Sequence, residues 1–205
     1  MSQSVEAVVF DIGRVIVQWD LRHLFEKLIA DKHELNWFLA NVVSEDWHFE
    51  HDRGRPLTEI VPERKALFPD LSDLIDAYAT RFLETIPGPV PGTTELIERL
   101  VQVDVPLYAI TNFGADFWAM FRPTEPVLNH FRDIVVSGQE RLAKPDPAIF
   151  HLAADRFGHA PAAMLFIDDN AANIETAARL GWQVHHFRNA GLLEKELVQQ
   201  GLIGS

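Results

Sequence analysis

The chain has 205 residues and carries 18 Lys and Arg against 30 Asp and Glu, a formal net charge of −12. This length is typical of one domain, or of one domain with an insertion. The sequence has no cysteine, which excludes thiol nucleophiles, thiolate zinc sites and cysteine redox pairs. The excess of acid disfavours a nucleic-acid or anionic-membrane partner, because both bind basic surfaces.

No segment resembles a targeting signal or a membrane span. Met1 to Ser4 lack a basic region, and the apolar run Val5–Phe10 ends at Asp11. No apolar stretch approaches the roughly 20 residues that cross a bilayer. We therefore expect a cytoplasmic protein, and the sequence leaves a monomer and a homodimer equally open.

A first strand is predicted at Glu6–Phe10, and a long helical interval follows it. Residues 21–83 show helical spacing of apolar residues and no strand-like run. Within this interval Asp20 is expected to cap a helix from residue 21 to 30, and Thr58 to cap a helix from 59 to 68.

The proline- and glycine-rich segment 86–92 ends the helical interval with a stiff connection. We interpret residues 17–88 as a helical cap inserted into one core domain. That core then comprises residues 1–16 and 89–205.

After this connection, strands and helices alternate along the chain. The apolar runs are continuous, as in strands buried on both faces of a parallel sheet. Asp146-Pro147 is a typical helix start, and Gly181 is a typical helix end. The alternation predicts an α/β fold: an open parallel sheet with helices on both faces. The four further strands are predicted at Val105–Ile110, Asp133–Val136, Met164–Ile167 and Gln183–Phe187.

Polar side chains follow four of the predicted strands. In an open α/β sheet, ligands bind beyond the carboxyl ends of the strands, so these side chains are expected to meet at one edge. They comprise carboxylates, a hydroxyl, an amide and an ammonium group. In chain order they are Asp11, Thr111, Asn112, Lys144, Asp168 and Asp169.

This combination of groups suits phosphoryl transfer. Three carboxylates at one edge repel one another unless a hard cation lies among them, and Mg²⁺ prefers oxygen ligands. A hydroxyl, an amide and an ammonium are suitable donors to phosphoryl oxygens. Asp11 then keeps one oxygen free to attack phosphorus and form an aspartyl-phosphate.

The ordered set resembles the four motifs of the haloacid dehalogenase (HAD) superfamily of aspartate-nucleophile hydrolases. The likeness covers residues 5–16 and 90–187. Phe10–Val17 is most similar to the branch that includes bacterial glucose-1-phosphate phosphatases with a small helical cap. The matching motifs are Asp11 with Gly13, Thr111, Lys144-Pro145, and Asp168-Asp169 with Asn173.

The resemblance implies a Rossmann-like core and a Mg²⁺-dependent phosphatase that acts on a small phosphorylated metabolite, with a sugar phosphate as one candidate. It implies that Asp11, Thr111 and Lys144 are catalytic. The implied metal ligands are Asp11, the Gly13 carbonyl, Asp168 and Asp169. The expected substrate-binding residues are Thr111, Asn112, Lys144 and Arg14, the last because it neighbours the nucleophile.

One position departs from the family pattern. Phosphatases of the superfamily carry a second aspartate, the general acid, where this sequence has Gly13. A positioned general acid contributes roughly 10²–10⁴ in rate. Either the leaving group needs no acid, or a cap residue supplies the proton, or the protein is not a phosphatase. The cap candidates are Asp20, His48, Glu50, His51 and Asp52.

Two other functions stay open. A 2-haloacid dehalogenase uses the same aspartate without metal and also lacks the second aspartate, although such enzymes do not usually keep the Asp168-Asp169 pair. A catalytically weak phosphate-binding protein is the second alternative, because fold does not fix function. The pair His48 and His51 has zinc-ligand spacing but no third ligand, so a zinc site is disfavoured.

Overall fold

A computed structural model describes residues 4–204. Met1 to Gln3 and Ser205, which the predicted core includes, lie outside the described residues. Five parallel strands form one sheet in the order β3-β2-β1-β4-β5. Their bounds are β1 Ala7–Phe10, β2 Leu107–Thr111, β3 Asp133–Val136, β4 Met164–Asp168 and β5 Gln183–His186.

The sheet has apolar residues on both of its faces. Val8 and Phe10 of β1 belong to one buried cluster, whereas Ala7 and Val9 belong to a second cluster on the opposite face. Because successive side chains of a strand point to opposite faces, both faces of the sheet are covered. This arrangement confirms the predicted α/β fold. All five predicted strands are present, with ends that shift by no more than two residues.

Helices cover the sheet and fill the interval between β1 and the rest of it. Between Asp11 and Gly92 the chain forms five α-helices and two short 3₁₀ helices, and it adds no strand to the sheet. These inserted helices are α1 Arg22–Phe25, α2 Lys32–Asn41, α3 Glu45–Asp52, α4 Leu57–Leu67 and α5 Ser72–Thr80. The helices that follow are α6 Thr93–Gln102, α7 Ala115–Phe121, α8 Ser137–Glu140, α9 Pro147–Phe157, α10 Ala171–Arg179 and α11 Ala190–Gln199.

Two helices in the insertion differ from the prediction. Asp20 accepts a hydrogen bond from the Arg22 amide, but Leu21 occupies the N-cap position of α1. The helix ends at Phe25, because i→i+3 bonds tighten the following turn. The Thr58 cap is wrong: Pro56 occupies the N-cap position of α4 without a side-chain bond. The Leu57 amide instead donates to Asp116 Oδ2 of α7, 3.1 Å away.

An aromatic cluster joins the inserted helices to the core. The rings of Phe82 and Phe117 stack with their centroids 3.7 Å apart, and His48 and Tyr78 pack around them. Aromatic contacts of this kind bury large apolar areas and fix the relative orientation of the elements they join. Within residues 4–204, no helix is both long and apolar enough to span a bilayer.

Candidate active site

The carboxyl ends of three neighbouring strands bring the predicted residues together. Asp11 follows β1, which lies between β2 and β4 in the sheet. Thr111 is the last residue of β2, and Asp168 is the last residue of β4. Since the three strands are parallel, their polar ends lie at the same edge.

Lys144 links these strand ends. Its Nζ lies 2.9 Å from Asp11 Oδ1 and 2.7 Å from Asp168 Oδ2, and it donates to the Ile110 carbonyl at 2.7 Å. Only 1% of the lysine is exposed. Burial alone would lower the pKa of Lys144, but the two carboxylates raise it overall, so the ammonium stays charged.

Asn112 fixes the loop that carries this lysine. Its Oδ1 accepts from the Lys144 amide, and its Nδ2 donates to the Lys144 carbonyl, both at 2.9 Å. A side-chain amide that bonds both backbone groups of one residue holds that residue in a single orientation. Asn112 therefore positions Lys144, in addition to lining the cavity described below.

Asp168 is the most constrained of the three carboxylates. It is fully buried, and its oxygens accept from the Asn170 amide at 2.7 Å and from Asn173 Nδ2 at 3.0 and 3.1 Å. Together with Lys144, these donors occupy both of its oxygens. Asp169 is only partly buried and faces the cavity instead.

The carboxylates of Asp11, Asp168 and Asp169 form a cluster in which one oxygen from each lies within 4.8 Å of the others. Burial, then repulsion from Asp168 and Asp169, raises the pKa of Asp11 to about 7, while Lys144 opposes this rise. Burial also raises the pKa of Asp169. The residues present fit a hard cation, because a divalent ion among these oxygens would offset both the burial of the carboxylates and the repulsion between them.

A cavity of about 350 Å³ opens above this cluster, between the strand ends and α3. Asp11, Lys144 and Asp169 form its floor, whereas Asp168 does not line it. Thr111 is also absent from the lining; its Oγ1 is buried and has no hydrogen-bond partner among residues 4–204. The residues that line the cavity from the insertion and its entrance are Gly13, Arg14, Trp19, Glu45, Asp46, His48, Phe49 and Asp52.

Arg14 lies at the mouth of the cavity, as its sequence position predicts. Its φ is +61°, and its guanidinium donates to Glu45 Oε1 of α3 at 2.5 Å and stacks on Trp19. Because Glu45 belongs to the insertion, this ion pair joins the two sides of the mouth. A free anion at the mouth would compete with Glu45 for the guanidinium.

The two candidate zinc histidines have other partners. His48 Nδ1 lies 2.8 Å from the Tyr78 hydroxyl, and His51 Nδ1 lies 2.7 Å from the Arg55 carbonyl. Of the groups that residues 4–204 bring together, the metal-compatible cluster is the carboxylate one, and it contains neither histidine.

Ser137 is a residue that the sequence did not point to. Its hydroxyl donates to the Asp52 carbonyl at 2.6 Å and accepts from the Phe113 amide at 2.9 Å. The bond spans 85 positions, so no local pattern could have indicated it. It attaches the end of α3 to the core beside the cavity.

The family model that matches this chain describes a haloacid dehalogenase-like hydrolase, and the match covers residues 5–181. The chain belongs to the haloacid dehalogenase-like hydrolases.

Two curated relatives of this HAD-like hydrolase are longer proteins. Acyl-CoA dehydrogenase family member 10 of Mus musculus is 26% identical over 196 residues, which are 87% of this chain and 17% of the relative. Phosphoglycolate phosphatase of Shigella boydii serotype 4 (strain Sb227) is 27% identical over 111 residues, 54% of this chain and 44% of the relative. The chain thus spans less than half the length of either.

Solved structures share the fold at low sequence identity. A predicted HAD-like family hydrolase from Porphyromonas gingivalis has a TM-score of 0.74 at 18% identity, over 95% of this chain and 98% of that one. A HAD family enzyme from Bacteroides thetaiotaomicron, in complex with magnesium and inorganic phosphate, has a TM-score of 0.67 at 20% identity, over 90% and 95%. L-2-haloacid dehalogenase from Xanthobacter autotrophicus has a TM-score of 0.63 at 18% identity, over 95% and 82%.

Proposed function

We propose that this HAD-like hydrolase is a Mg²⁺-dependent phosphatase of a small phosphorylated metabolite and that it works through an aspartyl-phosphate on Asp11. A sugar phosphate is one candidate substrate. The observation that carries the proposal is the intact cluster of Asp11, Asp168 and Asp169 beside a buried lysine. A displacement at carbon by a lone aspartate has no use for such a cluster, whereas phosphoryl transfer does.

Mg²⁺ would be held by Asp11 and Asp169, which face the cavity, together with the carbonyl of Gly13, which lines it. Asp168 would support this set from below, since both of its oxygens already accept hydrogen bonds. When bound, the ion would neutralise charge on the carboxylates and on the substrate phosphate. The magnesium and phosphate complex of the Bacteroides thetaiotaomicron enzyme is consistent with this assignment.

Asp11 is suited to act as the nucleophile. Its Oδ1 is held by Lys144 Nζ at 2.9 Å and by the Ile12 amide at 2.7 Å, so its orientation is fixed. The second oxygen, Oδ2, accepts no hydrogen bond from the residues that the structure describes and is left to attack phosphorus. Because Oδ1 is held, Oδ2 is oriented before a substrate binds, which lowers the cost of reaching the reactive geometry.

Lys144 and Asn112 line the cavity and would bind the phosphate there, whereas the Thr111 hydroxyl, which lies outside the lining, would contribute from the buried end of β2. Lys144 is charged at the floor of the cavity, and the buried Thr111 hydroxyl still has its hydrogen-bonding capacity free within the described chain. Donors that are already oriented and dehydrated stabilise charge that develops in a transition state more strongly than water does. Arg14 would bind substrate at the mouth by exchanging Glu45 for an anionic group.

The insertion limits the size of the substrate. Residues 17–88 would form a cap over the core of residues 1–16 and 89–205, with α3 closing the cavity from above. A volume of about 350 Å³ suits a metabolite and not a folded protein segment. The phosphatase name of the Shigella boydii relative supports the reaction class.

Hydrolysis of a generic phosphate ester, measured with and without EDTA, tests the proposal. We expect activity that chelation abolishes and added Mg²⁺ restores. Asp11→Asn should abolish turnover while the thermal transition stays cooperative. Halide release from a 2-haloacid, undiminished by EDTA, would instead establish the dehalogenase alternative, and binding of inorganic phosphate without turnover would establish the weak binding protein.

A further inference from the structure

The space above Gly13 is open. A Cβ built on this glycine would meet nothing within 4 Å, and its φ lies outside the left-handed region. Gly13 is two residues after Asp11 and lines the 350 Å³ cavity with it. The core therefore offers room for an acid at this point but no acid.

Asp52, at the end of α3, borders the same space. It lines the 350 Å³ cavity together with Gly13 and Asp11, and it lines a smaller adjoining cavity of about 60 Å³ together with Gly13 and Asn112. The bond from Ser137 to its backbone carbonyl fixes its position against the core. The insertion thus presents a carboxyl group where the core lacks one.

The surroundings of Asp52 favour a protonated carboxyl. The residue is 5% exposed, its Oδ1 has no hydrogen-bond partner in the described part of the chain, and its Oδ2 lies 3.5 Å from His48 Nε2. Burial raises its pKa to about 7, while His51, the Gly114 amide and Lys144 oppose the rise. A neutral carboxyl in a buried site can donate a proton near pH 7.

The other candidates in the insertion are less suited to this role. Burial lowers the pKa of His48 to about 4, so its imidazole is neutral near pH 7 and does not act as an acid there. The side chains of Glu50 and Asp20 bond to Arg55 and to the Arg22 amide. His51 faces Gly114 instead of the active-site cavity.

We propose that Asp52 is the general acid and base of the reaction. The inserted helices supply this carboxyl group because position 13 of the core is a glycine. The inference rests on the proposed phosphatase function. It makes Asp52 a catalytic residue, since its proton reaches the reacting oxygen. Ser137 and His48 are positioning residues that hold it.

The two chemical steps balance with one shared proton. In the first, Asp11 Oδ2 forms a bond to phosphorus and the bond from phosphorus to the ester oxygen breaks. Asp52 gives its proton to that oxygen, so an alcohol leaves and Asp52 becomes a carboxylate. In the second, water attacks phosphorus, Asp52 takes the water proton, and the bond to Asp11 breaks to give inorganic phosphate and restore both side chains.

The proton on Asp52 depends on every charged or titratable group that faces it. His48 and His51 come from its own helix, Tyr78 from α5, and Lys144 from the core, with Asp116 of α7 beside His51. Burial has the larger effect and raises the pKa of Asp52, whereas His51 and Lys144 lower it.

The leaving-group dependence of Asp52→Asn tests the inference. Ethyl phosphate needs a proton on its leaving oxygen, whereas p-nitrophenyl phosphate needs it far less. We expect kcat to fall about 10²–10⁴-fold for ethyl phosphate and less than about 10-fold for p-nitrophenyl phosphate. Glu50→Gln removes a carboxyl from the same helix outside the cavity and should change neither rate. Equal losses on both esters, or no loss, would overturn the role of Asp52.

A rescue variant separates chemistry from folding. A Cβ at position 13 would meet nothing within 4 Å, so Asp52→Asn combined with Gly13→Asp should regain at least 10-fold on ethyl phosphate relative to Asp52→Asn alone. The wild-type enzyme provides a further measurement that needs no variant. Its rate ratio of p-nitrophenyl to ethyl phosphate should rise as pH increases through about 7, and a flat ratio would overturn the inference. A wild type inactive on both esters with Mg²⁺ would contradict the phosphatase itself.

Discussion

Ser137 Oγ lies 2.6 Å from the backbone carbonyl of Asp52 and donates a hydrogen bond to it from the core side of the cavity. The same hydroxyl accepts from the Phe113 amide. One small side chain thus satisfies two buried backbone groups, one from each side of the boundary between the insertion and the core. Its loss should affect both folding and catalysis, because each buried group would lack a partner.

Ser137→Ala should lower the free energy of unfolding by roughly 1–3 kcal/mol, since it leaves a buried amide and carbonyl unpaired. It should also lower kcat for ethyl phosphate more than for p-nitrophenyl phosphate, with KM unchanged. Denaturant unfolding and steady-state kinetics measure the two effects. Ser137→Thr keeps the hydroxyl and should recover part of both; a stability loss without any dependence on the ester would mean that Ser137 does not position Asp52.

Lys144→Met should destabilise the protein by about 3–5 kcal/mol, because it leaves Asp11 and Asp168 as buried carboxylates without their ammonium partner. Thermal melts in EDTA and in excess Mg²⁺ measure the effect. The loss of Tm should be smaller with Mg²⁺, since the cation offsets part of the repulsion.

Lys65→Met is the matched control for this substitution. Lys65 Nζ lies 2.6 Å from Asp76 Oδ2, but both side chains are at least one-third exposed, so the pair should contribute less than about 1 kcal/mol. A Lys144→Met protein as stable as Lys65→Met would mean that Lys144 does not stabilise the buried carboxylates of Asp11 and Asp168.

Much of this site could be predicted from the sequence, because parallel strands place the residues that follow them at one edge of the sheet. Asp11, Asp168 and Lys144 meet as predicted, and the strand ends shift by no more than two residues. The short α1 and the start of α4 were not predicted. At the start of α4, the Leu57 amide donates to Asp116, which belongs to a helix far away in the sequence. Long-range contacts of this kind leave no local pattern.

Two adjacent acids that the sequence pattern does not distinguish have different environments in the structure. Asp168 and Asp169 are neighbours in the chain, yet one is fully buried under four hydrogen bonds and the other lines the cavity. Their exposure depends on which way each side chain points at the end of β4 and on the bonds from Asn173 in α10 to Asp168. The two adjacent letters of the sequence carry neither piece of information.

Asp169→Asn and Asp168→Asn should therefore have different effects. Asp169→Asn should raise the Mg²⁺ concentration required for activation by roughly 10-fold or more, with little change in Tm, because it removes the negative charge and one of the two carboxylate oxygens of a residue that lines the cavity. Asp168→Asn should lower Tm and activity together, since it disrupts the bonds to Lys144 and Asn173. Mg²⁺ titrations of kcat and thermal melts distinguish them, and identical behaviour of the two variants would contradict the assignment.

Gly114→Ala should separate the inserted helices from the core. A Cβ on Gly114 would lie 1.9 Å from the His51 ring, so α3 could not keep its position. We expect a drop in Tm of several degrees and a loss of turnover on ethyl phosphate of at least 10-fold. Gly191→Ala in α11, where the nearest atom lies 3.5 Å away, is the control and should be neutral or slightly stabilising. A Gly114→Ala protein with wild-type Tm would show that this contact does not hold α3.

Asp52→Asn should stabilise the protein at alkaline pH while it impairs catalysis. Burial raises the pKa of Asp52 from 3.8 to about 7, so the folded state binds its proton over a pH range in which the unfolded chain has released it. Stability from this group is present at low pH, falls as pH rises from about 4 to 7, and stays low above that. The asparagine carries no such cost, and we expect its Tm to exceed that of the wild type by several degrees at pH 8 and by less at pH 5. Glu50→Gln should show no such trend; a Tm difference that shrinks from pH 5 to pH 8 would mean that Asp52 is ionised in the folded protein and cannot be the acid.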